Sequence, residues 1–101
     1  MGYNIRMLVR MTEVYKDWID SLRDQAGRAH IQVRVDRLAH GNPGQQRNLS
    51  AGVSELKVDF GPGYRVYYTE RDGELIILLA GGDKSTQQKD IEIAVALVRN
   101  L

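Results

Sequence analysis

Between Glu55 and Lys84 three strand-like runs follow one another with almost nothing between them, and this leaves the chain few folds to choose from. Gly61-Pro62-Gly63 separates the first two runs and Arg71-Asp72-Gly73 the second two. Connections this short join antiparallel neighbours, so the three runs predict a meander. Side chains alternate across a strand, which fixes the faces. Leu56, Val58 and Phe60 point one way, and Glu55, Lys57 and Asp59 the other. On the next run Tyr64, Val66 and Tyr68 share a face, opposite Arg65 and Tyr67. Joining the apolar faces brings Lys57, Arg65 and Tyr67 together on the opposite, polar face. The third run, Leu75 to Ala80, is apolar on both faces, as for a central strand covered on both sides. Gly81-Gly82 then reads as a turn that delivers Asp83 and Lys84 to the sheet edge.

The flanking segments predict helices. Thr12 is a candidate N-cap with Glu13 in the first turn, and Tyr15, Trp18, Ile19 and Leu22 recur at helical spacing. A break at Asp24 or Gly27 leads to a second helix from about Gln25 to His40, with Ile31, Val35, Leu38 and Ala39 as its apolar stripe and Gly41 as a left-handed stop. His30, Arg34 and Arg37 fall on its other face, a solvated surface or a contact for nucleic acid or an acidic partner. Residues 41–54 read as a loop anchored by Leu49 and Val53. Ser85 and Gln88 have the spacing of a capping box, and Ile91, Ala94, Val95, Val98 and Leu101 line a final helix. A strand over Tyr3–Val9 completes the order β-α-α-β-β-β-α. The expected fold is a single α+β domain over 1–101. Its mostly antiparallel sheet is packed by an N-terminal helical hairpin and a C-terminal helix, with the helices on one face and a largely polar face opposite. Leu56, Val58, Tyr64, Val66, Trp18, Ile31, Leu38 and Val95 are the expected core.

Composition removes several classes of function. Cysteine is absent, which rules out disulfide scaffolds and thiolate zinc sites, and the two histidines lack metal-ligand spacing; no metal or other cofactor is expected. No run approaches the roughly 18 apolar residues of a membrane span, so a soluble, cytoplasmic protein is expected. The net charge of +1, from 14 basic and 13 acidic residues, argues against a non-specific nucleic-acid coat but allows a local basic patch. Neither glycine cluster has phosphate-loop spacing. The chemistry-bearing set is therefore Lys57, Arg65 and Lys84. Arginine offers a planar fork to phosphate, lysine a transferable proton, and together they can stabilise a pentacoordinate phosphate. Tyr67 can stack on a base.

The strings Trp18-Ile-Asp-Ser-Leu-Arg-Asp24, Gly61-Pro-Gly-Tyr-Arg-Val-Tyr-Tyr68 and Leu78-Leu-Ala-Gly-Gly-Asp-Lys-Ser-Thr-Gln87 resemble the RelE/ParE toxin superfamily, and within it the phage-derived, HigB-like addiction-module killer proteins. The resemblance implies a type II toxin with a cognate antitoxin, DNA-binding and encoded by the adjacent gene. RelE-like members act in the ribosomal A site as metal-independent mRNA endoribonucleases, leaving a 2′,3′-cyclic phosphate. By that resemblance Arg65 holds the scissile phosphate, Lys57 is a base or phosphate contact, and Lys84 is an acid or charge stabiliser. Glu55, or Asp59, stands where RelE has a second lysine. Gln87 takes the place of a tyrosine that stacks on the mRNA base, and Arg34 and Arg37 join it as RNA-binding candidates. The same superfamily contains ParE-like proteins that bind DNA gyrase without nuclease activity, and an inactive, antitoxin-binding form of the fold is a further alternative.

Overall fold

The structure, a computed structural model, describes residues 6–101. Tyr3 to Ile5 of the expected first strand lie outside them; within them β1 is Leu8–Met11, reaching further along the chain than expected. Two helices follow, α1 (Glu13–Ser21) and α2 (Gln25–Ala39). Then come β2 (Gln46–Asn48), β3 (Ser54–Val58), β4 (Tyr64–Arg71), β5 (Leu75–Asp83), a short 3₁₀ turn (Lys84–Thr86) and α3 (Gln87–Arg99). The α+β class and the meander are as the sequence predicts. The strand β2 is an addition: it forms in the segment read as a loop, and pairs antiparallel with β3.

The sheet order is β1-β5-β4-β3-β2, antiparallel except for β1, which lies parallel to β5. The helical hairpin is fixed by its caps. Thr12 Oγ1 accepts from Tyr15 N–H at 3.1 Å and donates to Leu79 O at 2.6 Å, tying the start of α1 to β5, an interior strand next to the β1 edge and not the central one. Asp24 ends the short connection by accepting from Gly27 N–H at 2.9 Å, and its other oxygen accepts from the Tyr64 hydroxyl at 2.7 Å. These two bonds and nearby His30 hold its carboxyl below the usual range against a smaller opposing effect of burial. Gly41 has φ +87° and stops α2 as expected.

The helices do not share one face. The α1–α2 hairpin covers the face of Leu56, Val58, Tyr64, Val66, Tyr68, Ile76 and Leu78. The last helix, α3, crosses to the other face and packs Ala94, with Ile91, Val95 and Val98, over Val53, Tyr67, Leu79 and Ala80. The face expected to be open and polar is therefore half-covered. The apolar stripe of α3 needs a sheet surface, and the hairpin already occupies the other one. Leu49 and Val53 anchor the 41–54 segment on this α3 side as expected, whereas Trp18 and Val95 are only partly buried.

An irregularity in the β4–β5 register sets what β5 presents at its end. Tyr67 pairs with Ala80 but Tyr68 with Leu78, so Leu79 is an extra residue and alternation reverses phase beyond it. Gly81 then faces the hairpin and Gly82 faces α3. A Cβ on Gly81 would collide with the Trp18 ring, and one on Gly82 with Asp90 and with Thr86, the latter at 2.7 Å. Both glycines lie inside the strand and serve close approach on its two faces, not a turn as the sequence suggested. The expected capping box also gives way. Asp83 caps the 3₁₀ turn by accepting from Ser85 N–H at 2.8 Å, α3 begins after Thr86, and Thr86 makes no capping bond to it.

Candidate functional site

The uncovered part of the α3-side face lies where α3 begins. Across β2, β3 and β4, Arg47 stands opposite Glu55 and Glu55 opposite Tyr67; one step along, Lys57 stands opposite Arg65. Helix α3 closes over the Tyr67 row and leaves the Lys57–Arg65 row beside an open depression of about 500 Å³. Arg47, Glu55, Lys57, Arg65 and Gln87 line it, together with Gln45 and Gln46.

Arg65 is 6% exposed. Its Nη1 donates to the carbonyls of Gly63 at 3.0 Å and Tyr64 at 3.3 Å, which fix the guanidinium beside the turn. Its Nε, 4.0 Å from Glu55 Oε1, has no hydrogen-bond partner among the described residues. Gly63, at φ +82°, lets the backbone pass between Arg65 and Lys84: a Cβ there would lie 3.4 Å from Arg65 Nη1 and 3.6 Å from Lys84 Cβ. Lys57 is exposed. The structure thus brings Lys57 and Arg65 into one depression, with Lys84 in an adjoining one across Arg47 and Gln87.

Glu55, which the sequence placed on the Lys57 face and at the position of RelE's second lysine, has a role that sequence reasoning did not assign. It is 4% exposed and sits at the floor of the site. Arg47 Nε donates to its Oε1 at 2.8 Å and Gln87 Nε2 to its Oε2 at 2.9 Å. Burial pushes the Glu55 carboxyl up, but these two bonds and the Arg47 charge outweigh it and hold the group below its ordinary value. A buried carboxylate at this point offsets the mutual repulsion of Arg47, Lys57 and Arg65. Its signal was its place on the Lys57 face of β3. Arg47 gave less signal, because the three residues of β2 are all polar and all exposed.

Two of the residues expected to touch RNA are engaged inside the protein. Tyr67, expected on an open face, is fully buried under α3, so its ring has no free face for a base. Its hydroxyl has no hydrogen-bond partner among the described residues, and burial and the Glu55 charge push its pKa up. Arg34 is a clamp, not a free cation: Nη1 donates to Lys57 O at 2.7 Å, and Nη2 to Pro43 O at 2.9 Å and Gln45 O at 3.3 Å. Its planar fork pins the chain leaving α2 against β3, which helps to hold Lys57 in place. Arg37 remains exposed on α2, and His30 stacks on Phe60 with ring centroids 4.0 Å apart. Gln87 does reach the site, through Glu55.

Comparison with known proteins agrees with this architecture. A Haemophilus influenzae protein described as uncharacterized is 42% identical over 93 residues, spanning 92% of this chain and 94% of its own length. A solved structure of the E. coli toxin RelE, an arginine double mutant in the free state, superposes with a TM-score of 0.66. It covers 86% of this chain and 96% of that chain at 11% identity, a likeness of fold. The family model "Phage derived protein Gp49-like (DUF891)" matches residues 17–99, nearly the whole described structure. The chain belongs to this phage-derived, Gp49-like family and has the RelE fold that its sequence motifs predict.

Proposed function

We propose that the protein is the toxin of a type II toxin–antitoxin module, a metal-independent endoribonuclease that cuts mRNA on the ribosome in the cytoplasm. One observation carries this reading. Lys57 and Arg65 stand directly opposite each other at an open depression, and the guanidinium is buried and fixed by two carbonyls. A binding surface has no need of an immobilised, desolvated cation, whereas a reacting phosphate does, because preorganised charge in a dry site stabilises the charge that develops. In the proposed reaction Lys57, as the base, takes the proton of the RNA 2′-hydroxyl, and the freed oxygen bonds to the neighbouring phosphorus. The bond from phosphorus to the 5′-oxygen breaks, and that oxygen takes a proton. Arg65 holds the phosphate oxygens, and Lys84, which lines the adjoining depression, gives its proton to the leaving oxygen. The product is a 2′,3′-cyclic phosphate. The cognate antitoxin, from the adjacent gene, relieves growth arrest by binding the toxin.

The test is cleavage of a programmed 70S complex by the wild type and by Arg65→Ala, with and without EDTA. Loss of the fixed cation should lower the rate about 10²–10³-fold, while antitoxin binding persists and wild-type cleavage survives the chelator. Full activity in the variant, or dependence on added metal, sinks the mechanism. A second reading, a ParE-like binder of DNA gyrase, draws support from the burial of Tyr67 and the internal engagement of Arg34, which remove two RNA contacts. Gyrase-linked DNA breaks without mRNA cleavage would establish it.

A further inference from the structure

The depression over Arg65 continues past Gln87. A second one, of about 450 Å³, opens beyond it, lined by Arg47, Lys84, Ser85, Gln87, Gln88 and Ile91. Arg47 and Gln87 line both depressions and so form their common wall. The chemistry of the second one differs from the first. It has two cations, the amides of two glutamines, each a donor and an acceptor, and the partly buried side chain of Ile91. Single-stranded RNA asks for this combination: cations along the backbone, hydrogen-bonding groups for base edges and an apolar surface for a base face.

Arg47 is placed to move. It extends from a three-residue edge strand, and its side chain is 58% exposed even while it is paired to Glu55. The exposed arm of Arg47 can turn away from Glu55 without unpacking any part of the core. Glu55 is provided for if Arg47 leaves. Gln87 already donates to Oε2, and the buried Nε of Arg65, without a hydrogen-bond partner among the described residues, lies 4.0 Å from the oxygen Arg47 occupies. The exchange would satisfy the orphaned Arg65 donor and release Arg47 as a planar fork for a phosphate.

We propose that the second depression is a subsite for a nucleotide flanking the scissile phosphate, and that Arg47 exchanges Glu55 for that nucleotide's phosphate when RNA enters. The proposal rests on the ribonuclease reading and adds a positioning residue and a second nucleotide to its footprint. The experiment pairs each protein with messages on programmed 70S complexes in which one flanking phosphate, on either side of the cleavage position, is replaced by an uncharged methylphosphonate. Arg47→Ala should raise KM about 10-fold on the natural message, with a smaller change in kcat. One neutral phosphate should impose a similar loss on the wild type and almost none on Arg47→Ala, because residue and phosphate then act as one contact. Arg47→Lys should recover part of the loss. Equal further losses in both proteins at every flanking position would assign Arg47 a role through Glu55 alone, as would an unchanged KM in Arg47→Ala; either overturns the subsite and leaves the ribonuclease reading standing. No cleavage of the natural message by the wild type would overturn both.

Discussion

On the hairpin side of the sheet, Ile31, Leu56, Val66 and Ile76 are wholly buried and five of the α2 residues are closed off from solvent. On the α3 side the helix contributes one fully buried residue, Ala94, while its larger apolar side chains stay partly exposed. That second face also carries the buried Glu55 and Arg65 and the Tyr67 hydroxyl, which has no hydrogen-bond partner among the described residues. Burial of apolar surface is what holds a domain of this size together, so the hairpin side carries most of the stability. The α3 side accepts desolvated charge and unmade hydrogen bonds that would weaken a fold depending on them. Charge that a reaction can use is concentrated where packing is thinnest.

Substitutions that load the two faces equally are the way to break this contrast. Ile31→Ala removes a fully buried side chain from the thick side and should cost about 2–5 kcal/mol. Leu97→Ala, on a partly buried side chain of α3, should cost about half as much or less. Equal costs by chemical denaturation would show that the two faces share the load. Also below Ile31→Ala, Gly81→Ala should cost about 1–3 kcal/mol, because the new methyl runs into the Trp18 ring and overpacks the hairpin side. A neutral outcome would mean that Trp18 moves freely and that this edge of the core is soft. The smallest effect is expected for Tyr67→Phe. It deletes a buried hydroxyl that makes no full hydrogen bond among the described residues and has the Glu55 carboxylate nearby, so stability should change by less than about 1 kcal/mol. Growth arrest should be unaltered. A loss of arrest larger than about 10-fold, in a variant that melts normally, would put that hydroxyl in the chemistry and sharpen the division between the faces.

The meander and the helical hairpin were legible because each announces itself locally. Alternation in β3 and β4 needs only a few residues, Thr12 carries its own cap, and Gly61-Pro62-Gly63 can hardly be anything but a turn. What could not be read depends on contacts between distant segments. Arg65 and Tyr67 alternate as a solvent-facing pair would, and nothing near them in sequence reports that α3 will lie over Tyr67. The phase reversal at Leu79 leaves no mark in a run that is apolar on both faces, and without it the two glycines look like a turn. Lys57 and Arg65 were legible as neighbours because hairpin register fixes them. Arg47 was not, since Gln46–Asn48 form a strand only by pairing with β3. Arg34 has the spacing of a surface cation, and its role as a clamp is decided by three carbonyls that the sequence does not point to.

The parallel pairing of β1 with β5 has a consequence for the order in which the chain assembles. Leu8 lies beside Leu75, and Thr12 reaches Leu79 across 67 positions of sequence, whereas β3, β4 and β5 meet their neighbours across short turns. Closing so long a loop has an entropic cost that the hairpins escape, so the meander can form early and the docking of β1 comes late. The strand made before the other four is thus among the last to find its place. Until the chain has emerged beyond β5, Val9 has no core to pack against, and the newborn protein exposes its sheet edge at the very site of synthesis.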